Sequence, residues 1–147
     1  MSKRTKQQIE DMRALGAGIG RLERHRRRYM NEHLAPYGLI GHQYFFLITL
    51  WHEPGLSQEN LVEILNIDKT RIARSALQLE EQGYITRERN PKNRRKYRLY
   101  LTPEGEALIP KIRKTVSEWG YEVTQGLSDE DIHTILNYLV VMKNNLK

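Results

Sequence analysis

Residues 57–105 decide the fold of this chain, and they read SQENLVEILNIDKTRIARSALQLEEQGYITRERNPKNRRKYRLYLTPEG. Ser57 and Asp68 are N-cap residues, and each has an apolar residue just before it and another four positions after it. Ser128 repeats this arrangement nearer the end of the chain. The pattern predicts helices that begin after each of these three residues. Leu65-Asn66-Ile67 joins the first two helices and has the length of a helix-turn-helix turn.

A β-hairpin with a basic tip is predicted directly after the second of these helices. Gly83 closes the helix, and residues 84–88 and 97–101 form two short runs with β-branched or aromatic side chains. Residues 90–93, Asn-Pro-Lys-Asn, are a turn-forming cluster between the two runs. Thr102 and Pro103 then supply an N-cap and a first-turn proline for another helix.

Helical periodicity continues on both sides of this segment. A first helix is predicted to run to about Leu34, on the stripe Ile9, Met12, Leu15, Ile19 and Leu22. Residues 42–51 form a second helix so apolar that we expect it to be buried nearly all round. A helix after Pro103 should kink at Pro110, and a last helix should run from Asp129 to about Asn145. The fold class is therefore mainly α with a small β-hairpin wing, a winged helix-turn-helix.

The excess positive charge lies in one short segment. The 147-residue chain has a formal net charge of +6. Residues 84–98 contain seven basic residues and one acid, so the rest of the chain is neutral in sum. The basic residues are Arg87, Arg89, Lys92, Arg94, Arg95, Lys96 and Arg98. A surplus confined in this way is typical of a surface that binds a polyanion, although a solvated charged loop is the alternative.

The fourth helix has an outward face that is able to read DNA bases. Its outward positions are predicted to be Thr70, Arg71, Arg74, Ser75 and Gln78. Arginine pairs bidentately with guanine and glutamine with adenine, whereas serine and threonine suit a base or a phosphate. An ordinary solvated helix face is the alternative, but the basic hairpin that follows at once favours DNA. RNA recognition would require exposed aromatic side chains for stacking, and this face has none.

Four motifs in this region resemble the MarR family of bacterial and archaeal transcription regulators. They are DKTRIAR at 68–74, LEEQGYI at 79–85, NPKNRRKY at 90–97 and LTPEG at 101–105. Their order and spacing are similar to the family's recognition helix, its exit, its wing and the next helix, and the resemblance covers nearly the whole chain. Asn90 and Asn93 stand where the family usually has acidic wing residues. An Asp–Arg bridge that braces the wing is therefore not carried over.

The resemblance implies a homodimer in which two winged domains read a pseudo-palindromic operator in double-stranded DNA. Residues 37–102 would form the DNA-binding domain, and residues 1–36 and 103–147 the helical dimerisation region. The apolar faces of the terminal helices agree with a dimer, but packing within one chain is an alternative. The predicted DNA-binding residues are Ser57, Lys69, Thr70, Arg71, Arg74, Ser75, Gln78, Lys92, Arg94, Arg95 and Lys96. A protein-interaction or RNA-binding module without effector control is the alternative function.

Family members often release DNA when a small aromatic or anionic effector binds, and the first helix has an irregularity that fits this role. Its apolar stripe meets His25 and Arg26 before Tyr29 resumes it. A buried basic group is costly unless it is paired, so it could hold a carboxylate. The predicted ligand-binding residues are His25, Arg26, Tyr29, Phe45 and Trp51. The alternatives are an internal salt bridge, for example with Glu23, and a stripe that simply reaches solvent.

Several classes of protein are not expected from this sequence. The chain has no cysteine, and its five histidines are not spaced as metal ligands, so we expect no metal site and no cofactor. It has no Gly-rich phosphate loop, nucleophile elbow or paired carboxylates in an apolar setting, so we do not expect an enzyme. No apolar run approaches the ~18 residues of a membrane span, and a soluble cytoplasmic protein is expected.

Overall fold

The computed structural model describes residues 2–146 and confirms the predicted class, mainly helical with a two-stranded antiparallel hairpin. A short 3-10 helix, Ala35–Tyr37, follows the first α-helix. In chain order the elements are α1 Lys6–Leu34, α2 Gln43–His52, α3 Gln58–Leu65, α4 Lys69–Glu81, β1 Ile85–Asn90, β2 Asn93–Leu101, α5 Pro103–Val123 and α6 Asp129–Asn144. Helix α5 continues through Pro110, and the kink expected there stays a prediction.

The three N-caps are found where the sequence predicts them. The side-chain oxygens of Ser57 and Ser128 accept hydrogen bonds from backbone N–H groups three residues later, each at 3.1 Å. Asp68 accepts from the N–H of Arg71 at 2.9 Å and fixes the start of α4. Because these donors have no partner inside the helix, the caps determine where each helix begins. Asn66 has φ 52°, the left-handed conformation that ends α3 and turns the chain into α4.

The strands of the hairpin are longer than predicted. Pairing runs from Ile85 opposite Leu101 to Asn90 opposite Asn93, so the predicted ends at residues 88 and 97 were wrong. The reason lies in the two asparagines, whose side chains accept from the backbone N–H groups of Lys92 at 2.9 Å and Arg95 at 3.2 Å. These bonds form the turn within the tip itself, which leaves the residues on either side free to pair.

The described chain divides between Thr115 and Val116 into two compact units. The core of the first unit includes the inner face of α4, where Ile72, Ala76 and Leu79 are completely buried. Gly105 at the start of α5 is also buried, and a Cβ there would overlap the carbonyl oxygen of Tyr84. Burial of apolar area stabilises the unit and holds α4 rigidly. The predicted division into DNA-binding and dimerisation regions is a functional one and stays a prediction.

The expectation that α2 is buried nearly all round was wrong. Phe45 is 39% exposed and Trp51 is 41% exposed, whereas Phe46, Leu47 and Leu50 are buried. The core of so small a unit covers only one side of α2. Arginine side chains lie over the rings on the other side, with the guanidinium of Arg26 5.0 Å from the Phe45 ring centre.

Two helices expose apolar side chains in a row. In the first unit, the predicted stripe of α1 is present as a line of residues that are each about half exposed, namely Ile9, Met12, Leu15, Ile19 and Leu22. In the second unit, α6 exposes Ile135, Leu136, Leu139 and Val140. None of the helices in the described part of the chain has the length and apolarity that a membrane span requires.

Candidate nucleic-acid interface

The exposed side of α4 contains four of the residues predicted to bind DNA. Lys69, Thr70, Arg71 and Arg74 are all exposed, because the opposite side of the helix is held in the core. The Arg71 guanidinium lies 3.8 Å from the Asp68 carboxylate, and both side chains are well exposed. A pair of this kind contributes little to stability, so Arg71 is able to exchange it for another acceptor.

Two further residues of α4 do not lie as predicted. Ser75 is only 4% exposed, and its Oγ is hydrogen-bonded to Nε2 of His42 at 2.7 Å, so its predicted outward position was wrong. Gln78 is half-buried, and its Oε1 accepts from Nε2 of Gln43 at 2.7 Å. Both side chains face the start of α2, and helical periodicity alone does not show that α2 covers this part of α4.

The imidazole of His42, which is hydrogen-bonded to Ser75, favours its neutral form. Burial lowers the pKa of its imidazole below the ordinary value, the positive charge of Arg71 lowers it further, and Asp68 opposes both effects. A neutral imidazole beside Ser75 adds no charge to the surface. The positive potential of α4 therefore comes from Lys69, Arg71 and Arg74.

The wing presents its charges in the open and is braced at its base. Lys92, Arg94, Arg95 and Lys96 are all exposed, as a surface for phosphates requires. At the base of the hairpin, Nε of Arg87 donates to Oε2 of Glu80 on α4 at 2.9 Å. The guanidinium of Arg87 also lies 5.6 Å from the Tyr97 ring centre. The wing is thus connected to the end of α4 through Arg87 and Glu80. It does not use an Asp–Arg bridge, because Asn90 and Asn93 replace the acidic residues that such a bridge needs.

Ser57 is in a different situation from the wing lysines and arginines. It is half-buried. Its Oγ accepts a hydrogen bond from the backbone N–H of Asn60 and donates one to Oδ1 of Asn60 at 2.8 Å. Its hydroxyl is therefore engaged in capping α3. What it offers to a phosphate is the end of a helix, where unpaired N–H groups attract anions.

A cavity of about 410 Å³ lies between α1 and the helix-turn-helix. Arg26 lines it and donates to both carboxylate oxygens of Glu23 at 2.8–2.9 Å, and also to the hydroxyl of Tyr44. The internal salt bridge considered in the sequence analysis is therefore present. Burial raises the pKa of Tyr44, so its hydroxyl keeps its proton at neutral pH. The cavity has three arginines, Arg26, Arg27 and Arg71, and one acid, Glu23.

The five predicted ligand-binding residues do not converge on one site. Arg26 and Phe45 line the cavity, whereas His25 and Tyr29 line a separate depression on α1. Trp51 lies elsewhere, with the guanidinium of Arg113 6.0 Å from its ring centre. Successive residues of a helix point about 100° apart, so neighbours such as His25 and Arg26 face different surroundings. Ligand binding by the five residues stays a prediction.

Sequence reasoning missed that Arg71 belongs to both surfaces. It is exposed on α4, yet it also lines the cavity together with residues of α1. No signal in the sequence connects it with Arg26, since the two meet only through tertiary packing. The sequence already indicated Glu23 as a salt-bridge partner, and Arg27 was within reach because it is the residue next to Arg26. In residues 2–146, no three His, Asp or Glu side chains lie close enough together to hold a metal ion.

Comparison with known proteins connects this geometry to DNA. The sequence model of the MarR family matches residues 42–97, which include α2 to α4 and most of the wing. A MarR transcriptional regulator from Methanosarcina mazei Go1 has a solved structure with 37% sequence identity and a TM-score of 0.86, over 90% of this chain and 96% of that one. The transcriptional regulator SlyA is similar at 31% identity and a TM-score of 0.84, over 89% of this chain and 92% of that one.

Two other relatives add information on function. A Listeria monocytogenes protein assigned to the MarR family, solved in complex with a 26mer DNA, has 27% identity and a TM-score of 0.83 over 88% of this chain and 86% of that one. The HTH-type transcriptional regulator BilQ of Clostridioides difficile is 28% identical over 126 residues, 86% of this chain and 85% of its own length.

Proposed function

Since this chain belongs to the MarR family of DNA-binding transcriptional regulators, we propose that it is a homodimeric repressor that a small aromatic or anionic ligand releases from its operator. The family consists of regulators rather than enzymes. The single observation that carries the proposal is the exposed basic side of α4 beside an exposed basic wing. A packed helix and an exposed charged hairpin supply the two kinds of contact that operator recognition uses.

In the proposed complex, α4 lies in the major groove, with its N-terminal residues at the base edges and Gln78 further along the same groove. Arg71 and Arg74 read base edges, guanine above all, because a guanidinium is able to donate two parallel hydrogen bonds to O6 and N7. Thr70 and Lys69 contact bases or phosphates nearby, and Ser57 lies at the phosphate backbone. The wing residues Lys92, Arg94, Arg95 and Lys96 follow the phosphates or enter the minor groove.

Exposed apolar side chains support the proposal of a homodimer. Each of α1 and α6 exposes a row of large apolar residues that one copy of the chain leaves in contact with water. Contiguous apolar surface of this kind marks an interaction site in a protein that is otherwise highly charged. A second copy with the same rows would cover them symmetrically, and two copies of α4 would then read two half-sites.

Ligand release is proposed to act through Arg71. An anion in the cavity meets a net positive set of side chains, and Phe45 and Tyr44 offer aromatic surface to a ring. Because Arg71 lines the cavity and also lies on the DNA-reading side of α4, a bound carboxylate competes with DNA for its guanidinium. The two ligands then weaken each other's binding by the same factor.

Selection from a pool of random DNA duplexes tests the DNA-binding part of the proposal. We expect enrichment of a pseudo-palindrome whose half-sites are about one helical turn apart, roughly 10 base pairs, because the reading helices of a dimer have that spacing. A footprint on the DNA upstream of the protein's own gene should cover a matching sequence. Failure to enrich any sequence would contradict the proposal.

Calorimetric titration with salicylate, as a simple aromatic carboxylate, tests the ligand. Arg26→Ala should weaken salicylate binding, because it removes a donor and leaves the Glu23 carboxylate in the cavity with only the guanidinium of Arg27 at 4.0 Å as its partner. The variant should still bind the selected operator but should no longer respond to salicylate. Arg28→Ala is the matched control, since Arg28 lies on the same helix outside this cavity. If wild type shows no binding at millimolar salicylate, or if both variants behave alike, the ligand site is elsewhere.

A further inference from the structure

A relay of side-chain amides connects the segment before α2 to the recognition helix α4. The backbone N–H of Ile40 donates to Oε1 of Gln43 at 3.0 Å. Nε2 of Gln43 in turn donates to Oε1 of Gln78 at 2.7 Å. Gln43 is only 2% exposed, so this relay is largely shielded from water on the Gln43 side. Gln78 is half-buried and belongs to the same surface groove as Arg71 and Arg74.

The direction of every bond in the relay follows from its first member. A backbone N–H only donates, so the amide oxygen of Gln43 must face Ile40, and the amide nitrogen must then face Gln78. That nitrogen requires an acceptor, so the oxygen of Gln78 faces Gln43. Reversing either amide would place two donors or two acceptors together and leave a buried polar group without a partner, which is costly.

The relay leaves one atom of Gln78 available to a partner outside the protein. Its Oε1 is engaged by Gln43, whereas its Nε2 forms no hydrogen bond with any residue in 2–146. An amide in this state presents a donor to DNA. The two-bond pair with adenine requires the amide oxygen to face the base beside the nitrogen, because adenine offers the N6 amino group as donor and N7 as acceptor, whereas the oxygen of Gln78 faces Gln43.

We propose that Gln43 is a positioning residue that sets the base preference of α4 by fixing the orientation of the Gln78 amide. Gln78 then contacts an acceptor edge in the major groove, guanine O6 and N7 or thymine O4, and does not pair bidentately with adenine. This replaces the glutamine–adenine pairing expected from the sequence. The inference rests on the proposed function, in which α4 reads the major groove.

Parallel selections from random duplexes test the proposal, with wild type, Gln78→Ala and Gln43→Met. The base pair at which Gln78→Ala loses preference is the one that Gln78 contacts, and wild type should prefer guanine or thymine there. Methionine has a similar length to glutamine but cannot donate to Gln78, so Gln43→Met frees the Gln78 oxygen. Adenine should then gain about tenfold in relative affinity at that pair only, the effect of one bidentate contact. Base pairs that depend on Arg71 serve as the internal control.

A second measurement needs no change at Gln43, should that variant fail to fold. Wild type is titrated with operators carrying base analogues at the mapped pair. Replacing N7 of guanine by carbon, or thymine by a base without O4, should weaken binding, whereas removing an exocyclic amino donor should not.

Three outcomes would overturn the inference while leaving the proposed function in place. They are an unchanged preference in Gln43→Met, a Gln78→Ala selection that matches wild type at every pair, and a wild-type preference for adenine. A wild type that enriches no sequence at all would contradict the proposed function itself, and the inference with it.

Discussion

At the scale of single residues, Arg71 and Arg74 have the same charge on the same helix but different surroundings. Both line the groove that contains Gln78, but only Arg71 also lies near Asp68 and lines the cavity beside α1. Both are within the first half of α4, and in this motif the N-terminal residues of the recognition helix contact base edges. Under the proposed function both would read bases, and of the two only Arg71 would also contact a ligand in the cavity.

Alanine in place of either arginine should cost about 1–3 kcal/mol on the selected operator and much less on random DNA. The loss is specific because a bidentate contact to guanine has no equivalent at other bases. Fluorescence anisotropy with both duplexes measures it, and Arg28→Ala is the control for the removal of one positive charge. Equal losses on the two duplexes would show that the arginines contact only phosphate.

His42 gives the stability of the protein a dependence on pH. Its pKa in the folded state lies below the value of 6.5 for a free side chain, chiefly because of burial and then because of Arg71, with Asp68 opposing them. The unfolded chain therefore binds more protons than the folded one as the pH falls below 6.5. The contribution of neutral His42 to the free energy of unfolding is therefore fully present above pH 6.5 and is lost as the pH falls below it.

His42→Gln should consequently lose less stability than wild type between about pH 7.5 and about pH 5.5, because glutamine keeps a hydrogen-bonding group for Ser75 but does not titrate. Urea unfolding at the two pH values measures the difference, and carboxylates affect both proteins equally. Identical pH dependence in the two proteins would remove His42 as its source.

At the scale of elements, α4 and the wing are joined into one structural unit. Arg87 connects β1 to Glu80 on α4, and β2 pairs with the segment before α3 where the N–H of Leu99 donates to the carbonyl of Leu56 at 2.9 Å. The hairpin base is therefore held while its tip is exposed. In the proposed complex, the exposed tip would contact the phosphate backbone while α4 lies in the groove.

Removing two charges from the tip should flatten the salt dependence of DNA binding. If both arginines contact phosphates, Arg94→Gln combined with Arg95→Gln should lower the log–log slope by about 1.8, because each phosphate contact contributes about 0.9. Titrations over a range of KCl concentrations measure the slope. Lys6→Gln combined with Lys143→Gln removes the same charge outside the wing and should leave it unchanged. An unaltered slope in the arginine variant would contradict the wing assignment.

At the scale of the whole molecule, the exposed apolar rows are the feature that the single chain does not account for. Leu136 and Leu139 on α6 are about half exposed, although the helix begins with a complete capping box and is otherwise well formed. A well-capped helix with an uncovered apolar face is typical of an element that packs against a second copy.

Leu136→Glu combined with Leu139→Glu should make the protein monomeric, because two carboxylates would have to be desolvated in the dimer interface. Sedimentation equilibrium measures the mass, and operator affinity should fall with it. Thr134→Glu combined with Asn137→Glu is the matched control, with the same spacing on the other side of α6. Deleting the chain from Ser128 onward should have the same effect as the leucine variant. A leucine variant that stays dimeric would place the contact elsewhere.

Much of the fold could be predicted because its signals are local. Ser57, Asp68 and Ser128 each satisfy an N–H group within three residues, so they mark helix starts whatever packs around them. The basic wing and the exposed residues 69–71 and 74 likewise follow from short stretches of sequence. The wing tip differed in detail because Asn90 and Asn93 close the turn more tightly than their propensity alone indicates.

The composition of the sites was decided by tertiary structure. Ser75 and Gln78 satisfy the periodicity of an outward face, yet the start of α2 lies against them. Ser75 is hydrogen-bonded to His42, and Gln78 is hydrogen-bonded to Gln43. Arg26 and Arg71 share a cavity although they are far apart in the chain. Caps and turns depend on atoms a few residues away, whereas burial and pairing depend on which element lies opposite, and only the packed structure determines that.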